Sequence, residues 1–146
     1  MTATIEQRLK RLEDTEEIRN LLKAYGRTLD AREFAAYAQL FAKDGEWIAG
    51  SLSAKTPAGI QAMLERAFGN ASGDLGMHHV FSNETIEVDG DAAEARSRWA
   101  TIIPSKDGKP TVRSSGQYYD QLVREDGAWK FKRRTLVHDI EVAPRK

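Results

Sequence analysis

Four strand-like runs separated by turn residues dominate the second half of the chain. They cover roughly residues 77–88, 92–104, 111–124 and 129–142. The separators are Asp89-Gly90, residues 106–110 and Asp126-Gly127, which are residue types that close hairpins. Within the second run, small and apolar residues from Ala93 to Trp99 alternate with the charged Glu94, Arg96 and Arg98, the pattern of a strand packed on one face. Consecutive hairpins of this kind predict an antiparallel meander, and Gly116 in the third run predicts a bulge or bend.

The first half has the apolar spacing of three and four residues that is typical of helices. Thr4 and Gln7 form a capping box at the start of the first helix. Its apolar stripe runs to Leu29, but Thr15 interrupts the stripe and leaves open a break near Asp14.

Three further elements follow before the strands. A second capping box, Asp30 with Glu33, predicts a second helix that ends near Lys43. Residues 45–53 predict a short strand pair that turns near Gly50. Thr56-Pro57 predicts the start of a third helix that Gly69 ends, and residues 69–76 read as a loop.

Helices followed by strands predict an α+β fold. We expect one domain over residues 1–146, in which three helices cover one face of a curved sheet. The sheet is expected to hold the four-strand meander and the short hairpin.

The composition excludes several classes of function. The 146 residues carry 22 Lys and Arg against 22 Asp and Glu, so the chain lacks the basic excess that binds nucleic acid or an anionic membrane. Without cysteine there is neither a disulfide nor a thiolate nucleophile. No window reaches the ~18 consecutive apolar residues of a membrane span. The charged N-terminus lacks the apolar segment of a signal peptide, so we expect a cytoplasmic protein.

The spacing of residues does not support metal or nucleotide binding. No predicted helix carries a His and carboxylate pair at i, i+4 spacing, and His78 and His79 diverge on a strand. No glycine-rich loop joins a strand to a helix in the way that phosphate binding requires. We therefore expect neither a metal nor an organic cofactor.

Two of the three histidines are adjacent, in the stretch MHHVFSN over residues 77–83. Histidine exchanges protons readily near neutral pH, so it is the best candidate for a general base. On a regular strand His78 shares its face with the core-like Ile86. His79 shares that face only if a bulge between Asn83 and Ile86 switches the phase. The pattern alone leaves both alternatives open.

Asp30 and Tyr25 are the other candidates for chemistry. Aspartate is a favoured N-cap, but the Asp30 carboxylate is also placed to face a cavity between helices and sheet. Tyr25 lies on the buried stripe, where a tyrosine is most often a core residue. The two side chains reach one volume only if the first helix ends between them, as the capping box at Asp30 predicts.

Three segments, in order, resemble the SnoaL-like branch of the nuclear transport factor 2-like superfamily. They are Tyr25-x4-Asp30 leading to LFAKDGEW at residues 40–47, His79-x3-Asn83-x2-Ile86 leading to residues 87–92, and Gly116-x-Tyr118-x-Asp120 leading through residues 122–131 to Arg134. Together they cover about residues 10–140.

The resemblance implies a cone-shaped sheet that helices close around an apolar pocket. Members of the superfamily include scytalone dehydratases, ketosteroid isomerases, bile-acid dehydratases and dioxygenase small subunits, and many transfer protons without a cofactor. Carried over by position, Asp30 and His79 resemble the acid–base pair, and Tyr25 resembles the tyrosine that holds the substrate's oxygen. This implication favours His79 over His78 and requires the bulge before Ile86. The second histidine of scytalone dehydratase-like sites is not found in residues 99–104.

The resulting prediction is a cofactor-free, dehydratase-like lyase or isomerase that acts on a small hydrophobic oxygenated molecule of a polycyclic or aromatic kind. The predicted substrate-contacting residues are Tyr37, Phe41, Trp47, Met63, Phe81, Asn83, Trp99 and Tyr118. The alternative is a non-catalytic ligand-binding or scaffolding subunit of the same fold. The resemblance also implies a homo-oligomer, a dimer or trimer, formed through the outer sheet face that carries Arg96 and Arg98.

Overall fold

A computed structural model describes residues 2–69, 73 and 76–140. In chain order the elements are α1 (Ile5–Asp30), α2 (Phe34–Ala38), β1 (Phe41–Ala49), β2 (Leu52–Lys55), α3 (Thr56–Phe68), β3 (His78–Asp89), β4 (Ala92–Pro104), β5 (Pro110–Glu125) and β6 (Ala128–Ile140). The strands form one curved, unclosed sheet in the order β2-β1-β6-β5-β4-β3. The predicted α+β fold is confirmed.

The start of α1 is as predicted, but the helix has no break. Thr4 and Gln7 form the capping box, and α1 runs without interruption through Asp14. The Asp14 carboxylate is buried, where it accepts hydrogen bonds from Arg124 and from Trp129 Nε1, the latter at 3.2 Å. Burial acts to raise the pKa of Asp14, but these hydrogen bonds outweigh it and lower the pKa. Asp14, next to the interruption at Thr15, therefore anchors α1 to the β5–β6 hairpin.

The second helix is shorter than its apolar spacing predicts. It covers only Phe34–Ala38, and β1 begins at Phe41, so the predicted end near Lys43 is wrong. The Leu40 carbonyl accepts a hydrogen bond from the Phe131 amide at 2.9 Å, and the Phe41 and Phe131 rings pack with centroids 5.2 Å apart. Tertiary pairing with β6 outweighs the helical pattern here.

The strand pair and the third helix agree with the sequence patterns. β1 and β2 pair antiparallel on either side of Gly50, which has a φ of 58°. The Thr56 hydroxyl accepts a hydrogen bond from the Gly59 amide at 3.2 Å at the start of α3, and Gly69 follows its last residue. The predicted loop over 69–76 lies largely outside the described residues.

The meander is confirmed over β3 to β6, although the last two residues predicted for its final strand, 141–142, lie outside the described part. The pairing of β1 with β6 is parallel, which the hairpin pattern did not predict. On β4, the predicted alternation places Ala93, Ala95, Ser97, Trp99 and Thr101 on the buried face. The predicted irregularity at Gly116 is also present, because the β5–β6 register shifts between Ser115 and Gly116.

The helices lie against the inner face of the sheet. α1 packs on β3 and β6, and α3 packs on β1. Among the helices that the structure describes, none is long and apolar enough to cross a membrane. Self-association through the outer face and the cytoplasmic location stay predictions.

Candidate active site

A cavity of about 630 Å³ lies between the helices and the inner face of the sheet. Most of its lining is apolar or aromatic, and a few polar side chains converge on it, as is typical of small-molecule sites. The lining includes seven of the predicted site residues: Tyr25, Tyr37, Trp47, Met63, His79, Trp99 and Tyr118.

Three predicted substrate-contacting residues are not part of this lining. Phe41 is buried in the core, with 2% of its surface exposed. Phe81 is half-buried and packs against the core cluster. Asn83 is exposed on β3, so its predicted role in orienting a substrate oxygen is not supported by its position. These three predictions therefore need correction.

The actual role of Asn83 is to form the bulge that the sequence analysis required. In the pairing of β3 with β4, Ser82 lies opposite Arg98 and Thr85 lies opposite Arg96, so Asn83 and Glu84 share one partner position. Asn83 has a φ of 54°, a left-handed conformation that asparagine adopts more readily than most residues. The extra residue switches the phase of the strand, so both His79 and Ile86 point inward.

The bulge resolves the choice between the two histidines. His78 is exposed, whereas His79 lines the cavity with 13% of its side chain exposed. Asp30 holds His79 at two points: Oδ1 lies 2.5 Å from the ring Nδ1, and Oδ2 accepts a hydrogen bond from the backbone amide at 2.9 Å. An ionised carboxylate only accepts hydrogen bonds, so the Nδ1 atom carries the proton. Nε2 is then the unprotonated nitrogen that is left for the cavity.

The position of Asp30 corrects three expectations. The residue is the last of α1 and does not cap α2, whose N-cap is Glu33. The helix does not end between Tyr25 and Asp30, and Asp30 is not part of the cavity lining. The carboxylate therefore contacts His79 from behind the cavity wall.

Close packing at Gly26 brings α1 within reach of His79. A Cβ atom at this position would lie 3.1 Å from the Cβ of His79, which is tighter than most contacts of this kind. An alanine here would require His79 to shift by a few tenths of an ångström. Gly26 lies one helical turn before Asp30. The same turn of α1 therefore determines both the distance between the helix and β3 and the position of the Asp30 carboxylate.

Tyr25 presents a hydrogen-bonded hydroxyl to the same cavity. Its oxygen accepts a hydrogen bond from Trp47 Nε1 at 2.9 Å. Burial, followed by the interaction with Tyr25, raises the pKa of Tyr37 well above its usual value, as expected for a hydroxyl that donates to Tyr25. Burial also raises the pKa of Tyr25, although Arg134 opposes this effect. Tyr25 is thus a protonated phenol that accepts from two neighbours.

A buried arginine beneath the tyrosines is the main feature that sequence reasoning missed. Arg134 is fully buried, and its Nε lies 2.9 Å from Oδ1 of the buried Asp120. Its guanidinium lies 3.5 Å from the ring centroid of Tyr118 and 4.1 Å from that of Tyr25. Arginine is rarely buried unless it is paired with an acidic residue. The one sequence feature that could have predicted this burial is Asp120, which lies on the neighbouring strand. Burial raises the pKa of Asp120 to about 6, against the opposing effect of Arg134.

A row of polar side chains crosses the sheet beside the histidine. His79 on β3 pairs with Thr101 on β4, which pairs with Ser114 on β5. The Thr101 and Ser114 hydroxyl oxygens lie 2.5 Å apart. His138 on β6 also lines the cavity, with its ring edge-on to Trp99 at 5.1 Å. No pattern in the sequence predicted a cavity role for Thr101, Ser114 or His138.

Among the described residues, no group of three or more His, Asp or Glu side chains is arranged to hold a metal ion. The expectation of a reaction without a cofactor stays a prediction.

Comparisons with known proteins identify the family. A family model of the SnoaL-like domain matches residues 10–135. The chain belongs to the SnoaL-like family. No curated protein matches the chain in sequence. Among solved structures, this SnoaL-like protein is similar to an NTF2-like protein with a cystatin-like fold from Novosphingobium aromaticivorans, with 27% identity and a TM-score of 0.83 over 98% of this chain and 95% of that chain.

Two more similar structures from the same organism are named for different functions. A candidate scytalone dehydratase is 29% identical to this SnoaL-like protein, with a TM-score of 0.74 over 89% of this chain and 87% of that chain. The β subunit of a candidate aromatic-ring-hydroxylating dioxygenase is 18% identical, with a TM-score of 0.74 over 91% and 93% of the two chains. The second similarity shows the fold alone.

Proposed function

We propose that this SnoaL-like protein is an acid–base lyase or isomerase that acts, without a cofactor, on a small hydrophobic oxygenated molecule. The observation that carries the proposal is the contact of Asp30 Oδ1 with His79 Nδ1 at 2.5 Å, on the wall of a cavity of about 630 Å³. A carboxylate that binds Nδ1 leaves Nε2 available as a base, and the cavity supplies an apolar site for the substrate.

The reaction begins with proton abstraction next to a carbonyl group. His79 Nε2 takes the proton from the carbon, and the electron pair moves onto the carbonyl oxygen to give an enolate. Asp30 stabilises the imidazolium that forms, and the Tyr25 hydroxyl donates a hydrogen bond to the enolate oxygen. Because Trp47 donates to the Tyr25 oxygen, the Tyr25 proton is directed away from Trp47.

The second step returns the proton from His79. In a lyase, the imidazolium protonates a hydroxyl on the adjacent carbon, which leaves as water while the enolate collapses to an unsaturated ketone. In an isomerase, the same proton returns to a different carbon. Positioned acid–base catalysis of this kind contributes roughly 10²–10⁴-fold to a rate.

The similarity to a candidate scytalone dehydratase supports a lyase. The second candidate function is a ligand-binding or scaffolding subunit, because a dioxygenase β subunit has the same fold. A scaffold does not require an open cavity with a carboxylate-bound histidine on its wall, so we favour the enzyme.

A deuterium-exchange assay tests the proposal without knowledge of the natural substrate. The neutral ketone 2-tetralone is incubated with the protein in D₂O, and loss of the signals of the protons next to its carbonyl is followed by ¹H NMR. We expect the wild-type protein to accelerate the exchange and His79→Ala to reduce the acceleration by about 10²-fold or more. No acceleration by the wild type with 2-tetralone, 1-indanone or a 3-hydroxy ketone would favour the non-catalytic alternative.

A further inference from the structure

A bulge on β5, where this strand pairs with β4, places an arginine in the cavity lining. Thr101 pairs with Ser114 and the next residue of β4, Ile102, pairs with Val112, so Arg113 is an extra residue on β5. On a regular strand Arg113 and Ser114 would point to opposite faces. Both nevertheless line the cavity. Bulges re-aim side chains in this way near functional sites.

The charge of Arg113 is not balanced by any described carboxylate. Its side chain is exposed, and within residues 2–69, 73 and 76–140 no Asp or Glu forms an ion pair with it. The described lining of the cavity contains no acidic residue, and Arg113 is its one arginine or lysine. Arg113 is therefore a cation at the cavity that no described carboxylate neutralises.

The neighbours of Arg113 extend this polar end of the cavity. Ser114 and Thr101 form the hydroxyl pair that follows His79 across the sheet. His138 also lines the cavity. One side of the cavity therefore offers hydrogen-bond donors and a cation, while Met63, Trp99 and Leu136 supply apolar surface.

We propose that the cavity selects ligands in which an apolar ring skeleton carries a carboxylate, and that Arg113 binds this carboxylate. A guanidinium forms two parallel hydrogen bonds with a carboxylate, and it can bind a phosphate in the same way. Phosphate sites, however, usually add backbone amides at a helix N-terminus or a glycine-rich loop. A single arginine beside hydroxyl groups therefore fits a carboxylate better than a phosphate. This inference rests on the proposed use of the cavity for small oxygenated molecules and narrows the substrate class to aromatic or alicyclic acids.

Three probes of one ring skeleton test the proposal. Binding of 2-naphthoate, of the neutral ketone 2-acetylnaphthalene and of 2-naphthyl phosphate is measured by calorimetry at low ionic strength with the wild type, Arg113→Gln and Arg113→Lys. Lys109→Gln is the matched control, because it removes the same charge from the same β4–β5 hairpin, where Lys109 Nζ lies 3.4 Å from Asp107.

We expect the wild type to bind 2-naphthoate about tenfold more tightly than the ketone, and Arg113→Gln to remove this preference while Lys109→Gln keeps it. Arg113→Lys should retain only part of the preference because it loses the two-point contact. Equal binding of acid and ketone to the wild type, or an equal loss in Lys109→Gln, would overturn the proposal. So would tighter binding of the phosphate than of the carboxylate. The calorimetric test measures binding and needs no turnover, whereas the exchange assay uses the neutral 2-tetralone. A failure of the proposed catalytic function can therefore be distinguished from a failure of the proposed carboxylate binding.

Discussion

Asp30 binds both the imidazole ring and the backbone amide of His79, at 2.5 Å and 2.9 Å. One carboxylate thus fixes the rotation of the ring and the position of β3 relative to α1. Because both contacts come from the last residue of α1, the geometry of the proposed base depends on how that helix packs on the strand.

The tautomer of His79 follows from this contact. We expect Nδ1 to carry the proton and Nε2 to be unprotonated, because the Asp30 carboxylate only accepts. Long-range ¹H–¹⁵N NMR correlations of the imidazole at neutral pH report the tautomer directly. In Asp30→Ala the preference should disappear and the exchange rate should fall by about 10²-fold. A dominant Nε2–H form in the wild type would contradict the assignment of the base.

The hydrogen bond from Trp47 to Tyr25 should affect chemistry more than binding. Trp47→Phe keeps an aromatic wall but removes the donor to the Tyr25 hydroxyl. We expect kcat for exchange to fall about tenfold with little change in KM, and Tyr25→Phe to cost about 10²-fold. A rise in KM at constant kcat would instead indicate that Trp47 only forms part of the binding surface.

Packing at Gly26 gives a prediction with a matched control. Gly26→Ala and Gly59→Ala both replace a glycine within a helix, where alanine is favoured by roughly 0.5–1 kcal/mol. At Gly59 the new Cβ lies 3.5 Å from the nearest atom, so the free energy of unfolding should rise by about this amount. At Gly26 the new Cβ meets His79 at 3.1 Å, so we expect a smaller gain or a loss, together with slower exchange. Urea denaturation and the exchange assay measure the two effects, and equal stabilisation with unchanged exchange would show that β3 is not held by this contact.

The buried ion pair predicts a specific pH dependence of stability. Burial raises the pKa of Asp120 to about 6, so between about pH 4 and pH 6 the native state keeps a proton that the unfolded chain has released. The contribution of this group to the free energy of unfolding therefore decreases as the pH rises through this range, by at most about 1.4 kcal/mol per pH unit. A ¹³C NMR titration of the Asp120 carboxyl checks the cause, and a midpoint below pH 4 would refute it.

The regular parts of the fold were predictable because local patterns and tertiary packing agree there. The alternation on β4 and the capping box of α1 are both local and both correct. The end of α2 was not predictable, because Phe41 fits a helical stripe and only its pairing with β6 makes it a strand residue.

The choice of His79 over His78 did not follow from the residue pattern, which left both open. It followed from the resemblance to the SnoaL-like branch, which required a bulge before Ile86. His79 and Ile86 cannot share a face on a regular strand, and the bulge at Asn83 resolves this conflict. No such conflict marks Arg113 or Arg134. The cavity contact of Arg113 arises from a register shift, and the burial of Arg134 arises from long-range packing, neither of which leaves a pattern in neighbouring residues.

The most direct test of the central claim compares the two adjacent histidines. His78→Ala and His79→Ala make the same chemical change at neighbouring positions, but only His79 lines the cavity and contacts Asp30. We predict that His79→Ala lowers the rate of proton exchange in 2-tetralone by about 10²-fold or more, whereas His78→Ala keeps the wild-type rate. Equal rates in the two variants, or a larger loss in His78→Ala, would contradict the account.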